Sequence, residues 1–409
     1  MGTPFPLQSG APRPRAQRSA QYVPTGAALG PAGRQRTEGS KLLVYIVLPE
    51  YGGRRMTQDG QGIGEGLAGP ALPQLGAYHF DVPRCRVQLA DNTSAFGAPP
   101  SALAAVRDAG TEQLVRYPSP FSESLRRAIA DYIGVTPDEI VLGCGSDDVL
   151  DCAFRAFGSP GDRVAHIAPT FVMARVFALT NHLRPLPVPL TPTWDVDADA
   201  VIAARAPITY LCSPNNPTGG NLSSTAVDRI LAETTGVIIL DEAYAEYAGR
   251  TRSASAPSHG RLLVLRTFSK AFGLAGLRIG YGVASAALIA DLERVRGPYK
   301  VSSLAEAAAL AVLSREIGWV RQAAAETVRL RDAFSAALRV AGFSPLPSAA
   351  NFVLVPVADA RLTAGALLEH GILVREFPGL PGVGDAIRIS IGRAEVMDQV
   401  ILALREAAR

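Results

Sequence analysis

Lysine is almost absent from this chain. Of its 40 basic residues only Lys41, Lys270 and Lys300 are lysine, and the other 37 are arginine. Chemistry that needs a primary amine therefore has three places to live. Cysteine is scarce too: Cys85, Cys144, Cys152 and Cys212 form no CxxC pair. No His/Cys cluster has metal-ligand spacing, so the expectation is reduced, mostly buried thiols and no metal. No apolar run approaches the roughly 20 residues that a membrane span needs. The longest candidate near the start, Leu42 to Leu48, has seven. The net charge of +3 is small and dispersed, which argues against a nucleic-acid partner. Arg13, Arg15 and Arg18 are not followed by the apolar stretch and small-residue cleavage site of a secretory signal. The expected location is the cytoplasm. The five histidines show no partner pattern and receive no role.

What is present is enough for two domains with a large buried core: 409 residues, 48% hydrophobic and 19% charged. Residues 1 to about 75 are rich in Gly, Pro, Ala, Gln and Arg and read as a disordered arm, or one foreign to the functional protein. Met56 is a candidate second start site. Within the arm, Gly64-Glu-Gly-Leu-Ala-Gly69 matches GxGxxG, but a dinucleotide fingerprint needs a strand before it and a helix after it. Polar, Gly-rich sequence precedes this one and Pro70 follows, so the match is set aside.

From about residue 76 the sequence alternates between helix and strand patterns. Helices are expected over Ser122 to Ile133, Val149 to Phe157, Ala226 to Glu233, Leu304 to Leu313 and Trp319 to Leu338. Strands are expected at Glu139 to Leu142, Arg163 to Ile167, Ile208 to Cys212, Val237 to Leu240 and Leu262 to Leu265. Strands that are apolar throughout and spaced by helices indicate a parallel sheet covered on both faces. A smaller α+β region follows, with strands at Asn351 to Val355 and Ile387 to Ile391.

In open parallel sheets, ligands bind beyond the carboxyl ends of the strands. Three strands here end in polar clusters: Ser213-Pro-Asn-Asn-Pro-Thr-Gly219, Asp241-Glu-Ala-Tyr244 and Arg266-Thr-Phe-Ser-Lys270. Taken singly they read as a turn, a helix cap and a solvated lysine. Taken together they supply what a pyridine-aldehyde cofactor requires. Lys270 offers the amine for covalent attachment. Asp241 keeps the ring nitrogen protonated, through a charge-assisted hydrogen bond worth roughly 1.5–3 kcal/mol. Asn216 and Tyr244 offer donors to the ring oxygen. Gly143-Cys-Gly-Ser-Asp147 lies between a strand and a helix, where the helix N-terminus can cradle a phosphate. Ser269 and Arg278 add a hydroxyl and a guanidinium, with Gly273 and Gly276 permitting a tight backbone path between them. Lys300, before a helix, and Lys41, in the arm, are the competing lysines.

The segment Arg266-Thr-Phe-Ser-Lys-Ala-Phe-Gly-Leu-Ala-Gly-Leu-Arg-Ile-Gly-Tyr281 resembles the lysine segment of histidinol-phosphate aminotransferases. These are fold-type I, aspartate-aminotransferase-like, class I/II enzymes dependent on pyridoxal 5′-phosphate. The resemblance continues through Tyr117-Pro118, Gly143 to Asp147, Pro169 to Phe171, Pro214 to Gly219 and Asp241 to Tyr244. It extends to Pro298 to Ser302, Asn351-Phe352, Gly371 to Arg375 and Arg388 to Gly392, and covers roughly residues 76 to 409. It implies a large cofactor domain over 111–300 with a mostly parallel seven-stranded sheet. A smaller α+β domain follows over 301–409, and residues 76–110 join that small domain. By resemblance Lys270 carries the cofactor and shuttles a proton, and Asp241, Asn216 and Tyr244 hold the ring. Gly145, Ser146, Asp147, Thr267, Ser269 and Arg278 surround the phosphate, and Phe171 stacks on the ring. Arg388 grips the anionic end of the substrate; Arg375, Asn92 and Tyr78 are further substrate contacts. Tyr117 reaches the phosphate of a neighbouring subunit, which implies a homodimer with shared sites.

The sequence also departs from the family. Its early Asn-Glu-Asn-Pro-Phe-Gly is here Asn92-Thr-Ser-Ala-Phe-Gly97, its usual stacking Tyr is Phe171, and the phosphate loop contains Cys144 and ends Asp147-Asp148. These changes bear on substrate rather than cofactor. The implied reaction is transamination between a small amino donor and a 2-oxo acid such as 2-oxoglutarate, with ping-pong kinetics. Histidinol phosphate or a related aromatic amino acid is the implied donor. The alternative within the same fold is a decarboxylase or lyase resembling threonine-phosphate decarboxylase; an arginine at 388 that holds a carboxylate favours transamination. A cofactor-binding regulator would need an added DNA-binding module, and the N-terminal arm shows no helix-turn-helix pattern.

Overall fold

A computed structural model of the chain describes residues 83–407. The 1–75 arm, the Gly64–Gly69 run and Tyr78 lie outside the described residues. The strands in chain order are β1 (Val87–Gln88), β2 (Ile140–Cys144), β3 (Arg163–Ala168), β4 (Arg184–Pro189), β5 (Ile208–Cys212) and β6 (Val237–Asp241). They continue with β7 (Leu262–Thr267), β8 (Ile279–Val283), β9 (Phe352–Pro356), β10 (Ile372–Leu373), β11 (Arg375–Leu380) and β12 (Gly384–Ser390). The α-helices are α1 (Pro100–Arg107), α2 (Thr111–Val115), α3 (Glu123–Ile133), α4 (Ser146–Phe157), α5 (Met173–Thr180), α6 (Ala198–Ala203) and α7 (Ser224–Glu233). After them come α8 (Ala245–Ala248), α9 (Ala286–Val295), α10 (Ser303–Arg315), α11 (Ile317–Val340), α12 (Ala360–Glu369) and α13 (Ala394–Ala407).

The main sheet has seven strands in the order β2-β8-β7-β6-β5-β3-β4. All neighbours are parallel except β8, which runs antiparallel to both β2 and β7. The mostly parallel seven-stranded sheet is thus present, with one reversed strand inside it. Sequence reading missed β8 because Gly280 and Gly282 weaken its strand signal. The structure shows why glycine stands there. A Cβ on Gly280 would lie 2.0 Å from the backbone nitrogen of Ser146, so β8 and the start of α4 touch backbone to backbone.

Alternate residues of each central strand enter separate cores, as a sheet covered on both faces requires. Leu262 and Val264 join one cluster with Ile238 and Leu240; Leu263 and Leu265 join another with Ile239 and Tyr210. Ala305, Ala308, Ala309 and Val312 of α10 pack in the first cluster. A third cluster gathers Phe334 and Leu338 of α11, Val353 and Val355 of β9, Ile387 and Ile389 of β12, and Val400 and Leu404 of α13. Helix α11, about 36 Å long at 1.5 Å per residue, puts Val320 and Ala324 in the first core and Phe334 in the third. The N-terminal segment belongs with the C-terminal one: β1 pairs parallel with β10, Val87 opposite Ile372. Among the cysteines, Cys152 and Cys212 are buried, but Cys144 is exposed and Cys85 half-buried, which corrects the expectation of mostly buried thiols. Among the described residues no helix is long and apolar enough to cross a membrane.

Candidate active site

Parallel strands β5, β6 and β7 deliver their carboxyl ends side by side, with Cys212 in register with Asp241 and Asp241 with Leu265. The clusters expected after them do converge. Asp241 is only 5% exposed. Its Oδ2 accepts from the Tyr210 hydroxyl at 2.8 Å and its Oδ1 from the Ala243 amide at 3.0 Å. Burial pushes this carboxyl up to about 6; the two hydrogen bonds hold it down, and Asp147 and Glu242 add repulsion. A cationic ring nitrogen brought against it would reverse that balance.

Lys270 follows β7 in the connection to β8. Its Nζ donates to the Asp91 carbonyl at 3.0 Å and lies 5.9 Å from the centre of the Tyr244 ring. Withdrawal from water, and then the Arg388 guanidinium, push its amine down to about 8, while Asp91 and Asp147 pull the other way. The competing lysine, Lys300, is engaged elsewhere, its Nζ 2.7 Å from Asp148.

The Tyr244 hydroxyl accepts from Asn92 Nδ2 at 3.0 Å, and burial pushes its ionisation well above the usual tyrosine range. Asn216 Oδ1 accepts from Arg388 Nη1, and Arg388 Nη2 donates to the Ala90 carbonyl. Arg388 is 7% exposed and sits over the rings of Phe352 and Phe377, 5.3 and 5.7 Å from their centres. Arg375 is its cross-strand neighbour, so both guanidinium-bearing residues occupy one rung of the β11–β12 ladder.

On the other side, Gly145 turns the chain into α4 with φ of 81°. The opening amides of a helix have no partner within it, and the Ser146 hydroxyl stands among them. Arg278 faces this turn: its carbonyl accepts from the Gly145 amide at 3.0 Å, its Nη1 lies 3.4 Å from Ser269 Oγ and its Nη2 3.5 Å from Asp147 Oδ2. Thr267 Oγ1 accepts from the Ser269 amide at 3.1 Å and orders that corner. Amides, hydroxyls and a guanidinium around a glycine turn fit a phosphate; a buried carboxylate and a low-pKa amine fit the two ends of a pyridine aldehyde. The donor set fits pyridoxal 5′-phosphate.

Asn92, Tyr117 and Phe171 complete the expected set. Asn92, expected as a substrate contact, is 1% exposed and turned inward, with both amide atoms bonded to protein groups. Tyr117 is 84% exposed and stacks on Tyr299 at 4.9 Å. Phe171 is half-buried against the second core, just before α5. Sequence reasoning missed Tyr210, which hides as an apolar-strand residue, and Asn215. The Asn215 side chain bonds the Pro169 carbonyl, Thr170 and Thr218, tying the Ser213–Gly219 turn to the loop that carries Phe171. It also missed the brace beneath the site. Buried Arg266 reaches Glu242, Glu246, Thr251 and Ser253, binding the end of β7 to the segment after β6.

The family model for aminotransferase class I and II matches residues 86–404. The chain belongs to this family. A histidinol-phosphate aminotransferase of Roseiflexus castenholzii is 39% identical over 337 residues, 79% of this chain and 90% of that one. The structure of histidinol-phosphate aminotransferase from Sinorhizobium meliloti in complex with pyridoxal-5′-phosphate superposes with a TM-score of 0.76 at 28% identity. It covers 84% of this chain and 98% of its own. An L-threonine-O-3-phosphate decarboxylase from Porphyromonas gingivalis, at 24% identity and TM-score 0.69 over 78% of this chain and 98% of its own, shares the fold alone. The aminotransferase thus combines a widely used scaffold with the site described above. Among its described residues, no group of three or more His, Cys, Asp or Glu side chains could hold a metal ion.

Proposed function

We propose that this aminotransferase takes histidinol phosphate or a related aromatic amino compound as donor and a 2-oxo acid such as 2-oxoglutarate as acceptor. It works as a cytoplasmic homodimer with shared sites. The enzyme is a pyridoxal-5′-phosphate-dependent transaminase. The observation that carries the reading is that buried Asp241 and Lys270 follow from the carboxyl ends of adjacent strands β6 and β7, with Arg388 bonded to Asn216 after β5.

Bound there, pyridoxal 5′-phosphate supplies an aldehyde that takes up an amino group and a protonated ring that accepts an electron pair. Lys270 holds the cofactor covalently between turnovers. Once released it is an amine about half neutral near pH 8, able to take a proton from the substrate carbon and return it. Asp241, ionised against the ring nitrogen, keeps that nitrogen protonated. Tyr244 and Asn216 hold the ring oxygen, and Phe171 packs on the ring face. The α4 N-terminus, Ser146, Asp147, Thr267, Ser269 and Arg278 seat the phosphate. Arg388 anchors the anionic end of the substrate, and Arg375 is the second anion contact. A guanidinium accepts carboxylate and phosphate alike, so the same residue serves a phosphorylated donor and a dicarboxylic acceptor in turn.

The dimer rests on the exposed stack of Tyr117 on Tyr299, flanked by Leu114 at 68% and Val115 at 67% exposure. Apolar surface of this kind is characteristic of an interface. We assign residues 111–300 to a large cofactor domain, with the small domain built on β9, β11, β12 and β1–β10.

The test is a screen of amine donors against 2-oxoglutarate, following glutamate formation. Histidinol phosphate and aromatic amino acids should give the highest kcat/KM. Turnover with neither class, but with aliphatic diamines or acidic amino acids, overturns the donor assignment. Release of carbon dioxide without glutamate overturns transamination.

A further inference from the structure

Asn92 is held in a left-handed backbone conformation, φ 58°, and is almost fully buried. Non-glycine residues rest there only when their surroundings insist. Three groups do. The Asn92 amide donates to Ser390 Oγ at 2.9 Å, the Ser390 hydroxyl lies 3.1 Å from Asn92 Oδ1, and Asn351 Nδ2 donates to the Asn92 carbonyl at 3.0 Å. The side-chain amide then donates from Nδ2 to the Tyr244 hydroxyl at 3.0 Å.

The chemistry of these groups gives the chain a direction. The Ser390 hydroxyl accepts from the Asn92 N–H and donates its own proton to Asn92 Oδ1. That fixes the amide with Nδ2 toward Tyr244. An amide nitrogen only donates, so the tyrosine oxygen accepts here and its single proton must leave on the other side. Lys270 Nζ lies 5.9 Å from the Tyr244 ring centre, so the tyrosine borders the pocket that takes the cofactor. Burial keeps the hydroxyl protonated, as a donor must be. Linked hydrogen bonds of one sense strengthen each other.

We propose that Ser390 and Asn92 are positioning residues, a directed relay that aims the Tyr244 proton at the ring oxygen of the cofactor. Ser390 lies two residues from Arg388 on β12, so the relay also ties the strand that anchors substrate to the residue that tunes the ring. This rests on the cofactor reading above. It reassigns Asn92 from touching substrate to acting through Tyr244.

The test follows the pH at which bound cofactor changes colour in the substrate-free holoenzyme. Asn92→Asp replaces the donor by an acceptor and turns the Tyr244 proton inward. The ring oxygen loses a donor, and the midpoint should rise by about one pH unit, about tenfold in proton affinity. Ser390→Ala, the milder change, releases the amide and should move the midpoint the same way by less. In a Tyr244→Phe background the Asn92→Asp effect should vanish, which separates the relay from the charge of the new carboxylate. Unmoved midpoints in both single variants, or an Asn92→Asp shift that persists without the tyrosine hydroxyl, overturn the relay. A rise in KM with the midpoint fixed returns Asn92 to substrate binding. Should wild-type protein show no cofactor absorbance, it is the cofactor reading that fails.

Discussion

The Tyr210 hydroxyl reaches across from β5 to Asp241 at the end of β6, 2.8 Å from Oδ2. Burial pushes that carboxyl up and this hydrogen bond restrains it near 6. In Tyr210→Phe the restraint is gone, and Asp241 should take up its proton at higher pH. Cofactor affinity measured against pH should then fall off about one pH unit earlier on the acid side, about tenfold at a given acid pH. An unchanged acid limb would show that Tyr210 only packs.

Asp241 also makes the apoprotein pay for its function. Its folded-state pKa lies above the 3.8 of a free aspartate. Its contribution is therefore most favourable below pH 3.8 and is lost as pH rises through about 6. Asp241→Asn should raise the melting temperature of cofactor-free protein at pH 7 to 8, with an upper bound of roughly 3 kcal/mol. It should cut kcat by more than about 100-fold. Calorimetry of the apoprotein beside steady-state kinetics reads both.

Lys270 predicts its own loading profile. Only the neutral amine attacks an aldehyde, so the rate of covalent cofactor uptake by apoprotein should climb with a midpoint near pH 8. A solvated lysine would put that midpoint above pH 10. Lys270→Ala should leave nothing for borohydride to fix; a reduced adduct on Lys300 in that variant would refute the assignment.

Arg388 donates to Asn216 and to the Ala90 carbonyl and lies over two aromatic rings. Arg388→Gln should raise KM for the anionic acceptor at least about 100-fold, about 3 kcal/mol. Arg388→Lys should recover little, because a point charge cannot reproduce the planar fork. The half-reaction with an uncharged amine donor, followed without any 2-oxo acid, should lose far less than the acceptor half-reaction in both variants, which checks that the main loss is anion binding.

Gly280→Ala tests the floor of the phosphate turn. The new Cβ would meet the Ser146 nitrogen at 2.0 Å, backbone against backbone, with no flexible side chain to yield. Destabilisation of about 3 kcal/mol or more is expected, seen as a lower melting temperature and weaker phosphate binding together. Gly276→Ala, with nothing within 4 Å, should be close to neutral by the same measurements.

The apolar strands β5 to β7 and the polar clusters at their ends were legible because burial on both faces leaves continuous apolar runs and function must sit beyond them. Lys270 stood out through the scarcity of lysine. Strand β8 was not legible, since its glycines answer to the Ser146 backbone, a contact between residues far apart in sequence. Tyr210 was hidden because tyrosine suits a strand whether or not its hydroxyl has work. Asn92 was seen, but its bond to Tyr244 was not, since a motif marks a residue without saying which way it faces. The carbonyls of Ala90 and Asp91 carry no sequence signal at all, every residue having one.

The short run Ala90 to Asn92 has a consequence for synthesis. Arg388 bonds Ala90, and Ser390 bonds Asn92, across 298 residues of chain. A ribosome must therefore add some 298 residues after Ala90 to Asn92 before these meet their partners. Until then Asn92, which bonds the Tyr244 hydroxyl, lacks its Ser390 partner, and the site lacks Arg388 altogether. Fragments stopped short of β12 should therefore be inert, since they lack Arg388 and Ser390.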